Sequence, residues 1–218
     1  MYKTFKIEQL KNSAQYNWFK TFANPCYGFN VKMDVTQVVK TSKQRGTSFF
    51  ANTLFLVTKA LNSVDEMRMR EVNGEIRLYD VINPTFTVMT ESGRFANAGF
   101  KMIEDYTGFY NETRRIIDEK KTQTVFEDNY NDSCDYDDYY ITCMPWICLE
   151  SFTHPLPDNN FESSCCPRIG WDKFRLENGK YVMLLNITVN HCFVDGKRLS
   201  DVFAAVQNNF DNAESLLK

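Results

Sequence analysis

Leu184-Leu185-Asn186-Ile187-Thr188-Val189-Asn190-His191-Cys192-Phe193-Val194-Asp195-Gly196 is the stretch from which the rest of the chain can be read. Alternation puts Met183, Leu185, Ile187, Val189 and His191 on one face of a strand. Asp195-Gly196 then breaks the strand at a tight turn, where glycine accepts a positive φ. Beyond it Leu199, Val202, Phe203, Val206 and Phe210 recur at three- and four-residue spacing and mark an amphipathic helix. An imidazole therefore stands at a strand end, with a carboxylate four residues on. Histidine is the side chain best matched to proton transfer near neutral pH. On the residues alone, a histidine so placed serves hydrogen bonding as readily as catalysis. The only other histidine, His154 in Thr153-His154-Pro155, reads as an exposed loop residue.

Working outward, Tyr27, Phe29, Val31 and Met33 alternate as a half-buried strand. Thr47 is placed to cap a helix whose apolar positions are Phe50, Leu54, Val57, Leu61 and Val64. Asn73-Gly74 and Asn178-Gly179 each divide strand-like runs and predict hairpins. Further strands are expected at 75–80, 85–90, 140–149 and 180–190, and a helix at 105–121. Strands and helices mix without strict alternation, so the expected class is α/β in the broad, α+β sense, with a large mixed sheet covered by helices. No repeat or linker interrupts residues 1–218, which predicts one domain.

Composition narrows the function classes. A net charge of −3 with no basic stripe argues against nucleic-acid binding. No apolar run is long enough for a membrane span, and the N-terminus lacks the pattern of a signal peptide, which points to the cytoplasm. Seven cysteines, an odd number without C-x-x-C and with only two histidines, predict reduced thiols and no metal site. The acidic stretch from Glu127 to Tyr140 lacks the central glycine of a calcium loop at 128–132 and reads as solvated. Eighteen Phe and eleven Tyr suit a packed core and, equally, an aromatic-lined site or subunit interface.

His191-Cys192-Phe193-Val194-Asp195-Gly196 resembles the second half of the H-H-x-x-x-D-G motif of the chloramphenicol acetyltransferases, shared with the acyltransferase cores of 2-oxo acid dehydrogenase complexes. Pro25-Cys26 with Gly28-Phe29, Met67-Arg68-Met69, Tyr79-Asp80 with Pro84-Thr85-Phe86-Thr87-Val88, Pro145-Trp146 with Ser151-Phe152, and the C-terminal helix resemble the former family in the same order. The resemblance runs from about residue 5 to residue 215. It implies that family's fold and an O-acetyltransferase using acetyl-CoA as cosubstrate, with no metal. His191 matches the base that takes the proton of the acceptor hydroxyl. Asp195 matches the aspartate that holds the site through an ion pair, and Thr142 matches a hydroxyl that donates to the developing oxyanion. A fixed donor of that kind is worth roughly a hundredfold in rate or more.

Trp146, Lys173 and Phe174 match positions that hold CoA, while Phe19, Cys26 and Phe29 match the wall of the acceptor site. The resemblance also implies a homotrimer with active sites between subunits. Asn190 replaces the first motif histidine, Lys11 to Gln15 offer no arginine for Asp195, and Gly170 stands where a threonine is usual. These departures bear on the acceptor more than on acetyl transfer. Two other readings stay open: acyl transfer to an endogenous alcohol or thiol, and a CoA-binding trimer without turnover.

Overall fold

Strands form where β-branched and aromatic residues alternate, and helices where apolar residues recur at helical spacing. The computed structural model describes residues 1–124, 135–156 and 160–218. In chain order its elements are β1 (Tyr2–Phe5), α1 (Ser13–Phe19), β2 (Cys26–Asp34), α2 (Thr36–Arg45), α3 (Phe49–Asn62), β3 (Met69–Val72), β4 (Glu75–Tyr79), β5 (Asn83–Met89) and β6 (Phe95–Gly99). They continue with α4 (Tyr106–Lys121), β7 (Asp138–Met144), α5 (Phe161–Ser164), β8 (Arg168–Asp172), β9 (Arg175–Glu177), β10 (Lys180–Asn190), α6 (Gly196–Asp211) and α7 (Ala213–Leu216).

Among the described residues the main sheet has the order β2-β10-β8-β7-β5-β6, with β9 also paired to β10. The sheet is mixed, because β5, β7 and β8 run parallel while the other pairs are antiparallel. A small antiparallel sheet, β1-β4-β3, stands apart from it.

The two faces of the main sheet differ. Phe86, Ile141, Ile169 and Ile187 follow one another in register across β5, β7, β8 and β10, and all four are buried. Helix α3 covers this row, with the Phe50 ring 5.5 Å from Phe86 and 5.7 Å from Trp171. Helices α2, α4 and α6 flank α3. On the opposite face the register lines up Thr142, Gly170, Asn186 and Asn30, a row of hydroxyl, amide and bare backbone. The expected helical cover is thus found on one face. The segment Phe152–His154 overlies part of the other, held by Phe152 N donating to Asn30 Oδ1 (3.2 Å) and Asn186 Nδ2 donating to the Phe152 carbonyl (3.2 Å).

Both Asn-Gly pairs form hairpins with positive φ at each residue, joining β3 to β4 and β9 to β10. The start of α3 differs from expectation: Ser48, not Thr47, caps it by accepting from Ala51 N, while Thr47 Oγ1 accepts from Asn52 Nδ2. Val64 falls beyond the helix end. Strand β7 stops at Met144 rather than continuing to residue 149, because Pro145 has no N–H for the ladder. Asp105 caps α4 by accepting from Gly108 N, and β7 already begins at Asp138, inside the stretch read as a solvated loop. The 128–132 segment weighed as a calcium loop, like Cys134, lies outside the described residues.

Because Ile187 sits at the centre of the apolar row, Ile187→Ala should lower the unfolding free energy by about 2–5 kcal/mol. Urea denaturation would show this as a lowered midpoint with an unchanged slope; a loss within experimental error would mean the row is not the core.

Candidate active site

Strand β10 ends at Asn190, and His191 begins the turn that leads into α6. The His191 backbone is pinned on two sides. Its N–H donates to the Pro25 carbonyl (2.9 Å), and its own carbonyl accepts from Gln15 Nε2 (2.7 Å). The imidazole lies flat on Phe19, ring centroids 3.8 Å apart and 11° from parallel, with the Tyr27 ring at 4.5 Å. Nδ1 is buried without a hydrogen-bond partner among the described residues. Tyr27 Oη donates to the Val194 carbonyl (3.2 Å), and burial with the nearby Asp195 charge pushes this phenol up to about 12. It is a fixed hydrogen-bonded wall and not a proton donor at neutral pH.

Helix α1 presents Phe19 and Gln15 to His191 because a buried cluster anchors it from behind. Tyr16, one residue from Gln15, donates to Glu71 on β3, and Lys20 Nζ reaches both Glu71 oxygens at 2.6 and 2.8 Å. Tyr16 is fully buried, and its hydroxyl is held far above its ordinary value by burial and by Glu71. Positions 15, 16, 19 and 20 share one side of a single turn, so α1 transmits this anchor to the imidazole.

Asp195 caps α6, accepting from Arg198 N at 2.8 Å. No ion pair to Asp195 occurs among the described residues. Lys11 shares a cavity with it but forms no pair among the described residues, while Arg198 pairs with Glu66 at 3.0 Å and Lys197 with Asp201. Asn190 is buried and bridges: Nδ2 donates to Ser164 Oγ (2.9 Å) and Oδ1 accepts from Cys192 N (2.9 Å), locking the turn around His191. Cys26 faces the Ser164 carbonyl, and its thiol is pushed up by burial, so it stays protonated. Phe29, 38% exposed, meets Tyr27 edge-on at 5.6 Å and continues the aromatic wall along β2.

Thr142 lies on the open face of the sheet and bonds Thr87 through their hydroxyls at 3.2 Å. Both line a cavity of about 350 Å³ together with Tyr140, Phe152, His154 and Arg168. Gly170 is bare here for a steric reason. A Cβ at this position would stand 2.3 Å from Phe152 Cζ, so the ring occupies the space a threonine side chain needs. His154 corrects its reading as an exposed loop residue. It is partly buried against the Phe152 ring (5.3 Å), and its pKa is pushed down to about 4, chiefly by burial and then by the Arg168 charge.

Trp146 and Lys173 stand at the far ends of β7 and β8, joined where Lys173 N donates to the Ile147 carbonyl (3.1 Å). Trp146 is 65% exposed and is not a core tryptophan. Phe174 packs between Phe49 (4.7 Å) and Tyr181 (5.7 Å). These three are therefore apart from His191, which stands at the other end of β10. Thr142 is apart from it too. Register places Thr142 beside Gly170 and Gly170 beside Asn186, five residues before His191. At about 3.3 Å per residue and about 4.8 Å per strand, the two lie roughly 19 Å apart within one chain. Tyr27, Gln15, Arg168 and His154 join the site without having been picked from the sequence. Only Tyr27 left a signal there, through its alternation with Phe29.

A family model described as "Chloramphenicol acetyltransferase" matches residues 1–207. A chloramphenicol acetyltransferase of Proteus mirabilis is 24% identical over 213 residues, covering 94% of this chain and 93% of that protein. Among solved structures, a chloramphenicol acetyltransferase superposes with a TM-score of 0.88 at 26% identity, covering 96% of this chain and all of the other. The truncated catalytic core of the 2-oxoacid dehydrogenase multienzyme complex from Thermoplasma acidophilum shares the fold, with a TM-score of 0.66 at 16% identity and coverage of 96% and 99%.

His154 gives the site a pH signature. The unfolded chain takes up a proton there near the ordinary value of 6.5, and the folded chain only near 4. The unfolded state therefore binds more protons in that window, and stability falls as pH drops through it. Melting curves from pH 7 to 4 should show a smaller acid loss for His154→Leu than for the wild type; parallel curves would show that the fold does not hold His154 neutral.

Proposed function

Because the chain belongs to the chloramphenicol acetyltransferase family, and is thereby an acetyl-CoA-dependent acetyltransferase, we propose that it acetylates a hydroxyl of chloramphenicol or of an acceptor of similar shape. The observation that carries this reading is the imidazole of His191, held between Phe19 and Tyr27 at the end of β10. Nε2 takes the proton of the acceptor hydroxyl as its oxygen attacks the thioester carbonyl. Negative charge gathers on the acetyl oxygen and is met by a hydroxyl donor, the role assigned to Thr142. Collapse breaks the carbon–sulfur bond, and the proton held by His191 passes to the departing thiolate. The products are the acetyl ester and CoA. Asp195 acts at a distance, by fixing the start of α6 and hence the turn that carries His191.

The separation of about 19 Å between His191 and Thr142 supports a site built from two chains, with His191 of one subunit over the Thr142 cavity of the next. A homotrimer supplies that arrangement three times. In this reading Trp146, Lys173 and Phe174 hold CoA where it approaches along the sheet, while Phe19, Cys26 and Phe29 border the acceptor. The enzyme works in the cytoplasm, where acetyl-CoA is available, and inactivation of the antibiotic is the consequence for the host. Among the described residues no helix is long and apolar enough to cross a membrane.

Thiol release from acetyl-CoA should depend on chloramphenicol and fall by about a hundredfold or more in His191→Ala. A variant as active as the wild type would remove the base assignment. Co-expressed His191→Ala and Thr142→Ala chains should recover activity that neither has alone, since mixed trimers contain interfaces with both groups intact. Failure of that complementation, with mixed trimers verified by mass, would place each site within one chain.

A further inference from the structure

The cavity over Thr142 carries more polarity than acetyl transfer requires. Its wall includes Arg168, a guanidinium that is 8% exposed and has no carboxylate partner among the described residues. The bonds it makes are long: Nη1 donates to the carbonyls of Ser163 (3.3 Å) and Cys166 (3.2 Å), and Nη2 to Ser163 Oγ (3.4 Å). Charge-assisted bonds of arginine are usually about 2.7–2.9 Å. The face of Tyr140 at 5.2 Å is its other support.

Arg70, fully buried elsewhere, shows what a structural arginine looks like in this chain. It too has no carboxylate partner among the described residues, but it is held by four carbonyls, those of Met69, Met67, Tyr136 and Asp138 at 2.7, 2.9, 3.0 and 3.3 Å, and it lines none of the sheet cavity. A buried charge without a counter-ion is costly, and Arg168 carries that cost beside a cavity of about 350 Å³. On the same wall His154 leaves Nε2 shielded and without a partner among the described residues, a second unmet polar group. The residues that line the cavity include no acidic side chain.

We propose that the Thr142 cavity selects acceptors bearing an anionic group, a carboxylate or a phosphate, which takes Arg168 as its counter-ion and a hydrogen bond from the Nε2–H tautomer of His154. This rests on the reading of the cavity as the acceptor site, and it names the class of acceptor that the site favours. A neutral acceptor such as chloramphenicol leaves Arg168 uncompensated and binds more weakly. Asn97 and the paired Thr87 and Thr142 hydroxyls complete a polar floor suited to a hydroxylated acid.

The test compares chloramphenicol with its analogue carrying a ring carboxylate in place of the nitro group. Binding is followed by calorimetry at constant low salt without acetyl-CoA, so that the result does not depend on His191 as base. The wild type should bind the carboxylate form about tenfold or more tighter. Arg168→Met should bring the two acceptors to within about twofold, Arg168→Lys should keep part of the preference, and His154→Leu should reduce it several-fold. Melting curves check that each variant is folded. Equal binding of the two acceptors by the wild type, no binding of either, or a preference that survives Arg168→Met would overturn the proposal. A preference that appears as expected while His191→Ala keeps full turnover would instead leave the anion site standing and remove the base.

Discussion

Strand β10 is hydrogen-bonded along both edges, to β2 on one side and to β8 and β9 on the other. That double pairing fixes its register, and a shift of one residue would turn its apolar row toward the polar face. Every later feature depends on it. The row Met183, Leu185, Ile187 and Val189 meets the helices, Asn186 and Asn190 face the other way, and His191 emerges where the ladder ends. Pairing with β2 continues to Cys26, so the Pro25 carbonyl lies in reach of the His191 N–H. The position of the imidazole is a property of the sheet before it is a property of the site.

Around that end the molecule uses two kinds of support. Aromatic rings hold the imidazole plane, and buried polar groups hold the rings. Glu71 anchors α1 through Tyr16 and Lys20, and Asn190 ties the turn to α5 through Ser164. Buried polar clusters of this sort contribute more to geometry than to net stability, since their desolvation offsets much of their attraction. The helix cap and the Asn190 bridge immobilise the same turn from its two ends.

The sequence was most legible where local chemistry dominates. Asn73-Gly74 and Asn178-Gly179 formed hairpins because two consecutive positive φ values leave few alternatives. The span of β10 matched its alternation, and α6 begins at Asp195-Gly196, although Gly196 is its first helical residue and does not take the positive φ expected of a tight turn. Boundaries moved where two neighbours compete for one role, as with Thr47 and Ser48 at the start of α3. The candidate site was legible in its motif residues and in the aromatic wall of Phe19 and Phe29. It was illegible in the groups that long-range pairing delivers. Glu71 lies 51 residues from Lys20, and His154 reaches its cavity only because Phe152 is seated on Asn30 and Asn186. No periodicity or spacing in the chain encodes those meetings.

The seat of Phe152 on Gly170 has an evolutionary consequence. A β-carbon at residue 170 would stand 2.3 Å from Phe152 Cζ, so a larger residue there requires the ring to move or to be replaced by a smaller one. The two positions therefore behave as a single locus. A hydroxyl-bearing residue at 170 is accommodated either by a smaller residue at 152 or by displacement of the Phe152 ring. Substitutions at residues 152 and 170 of this chain are therefore sterically coupled.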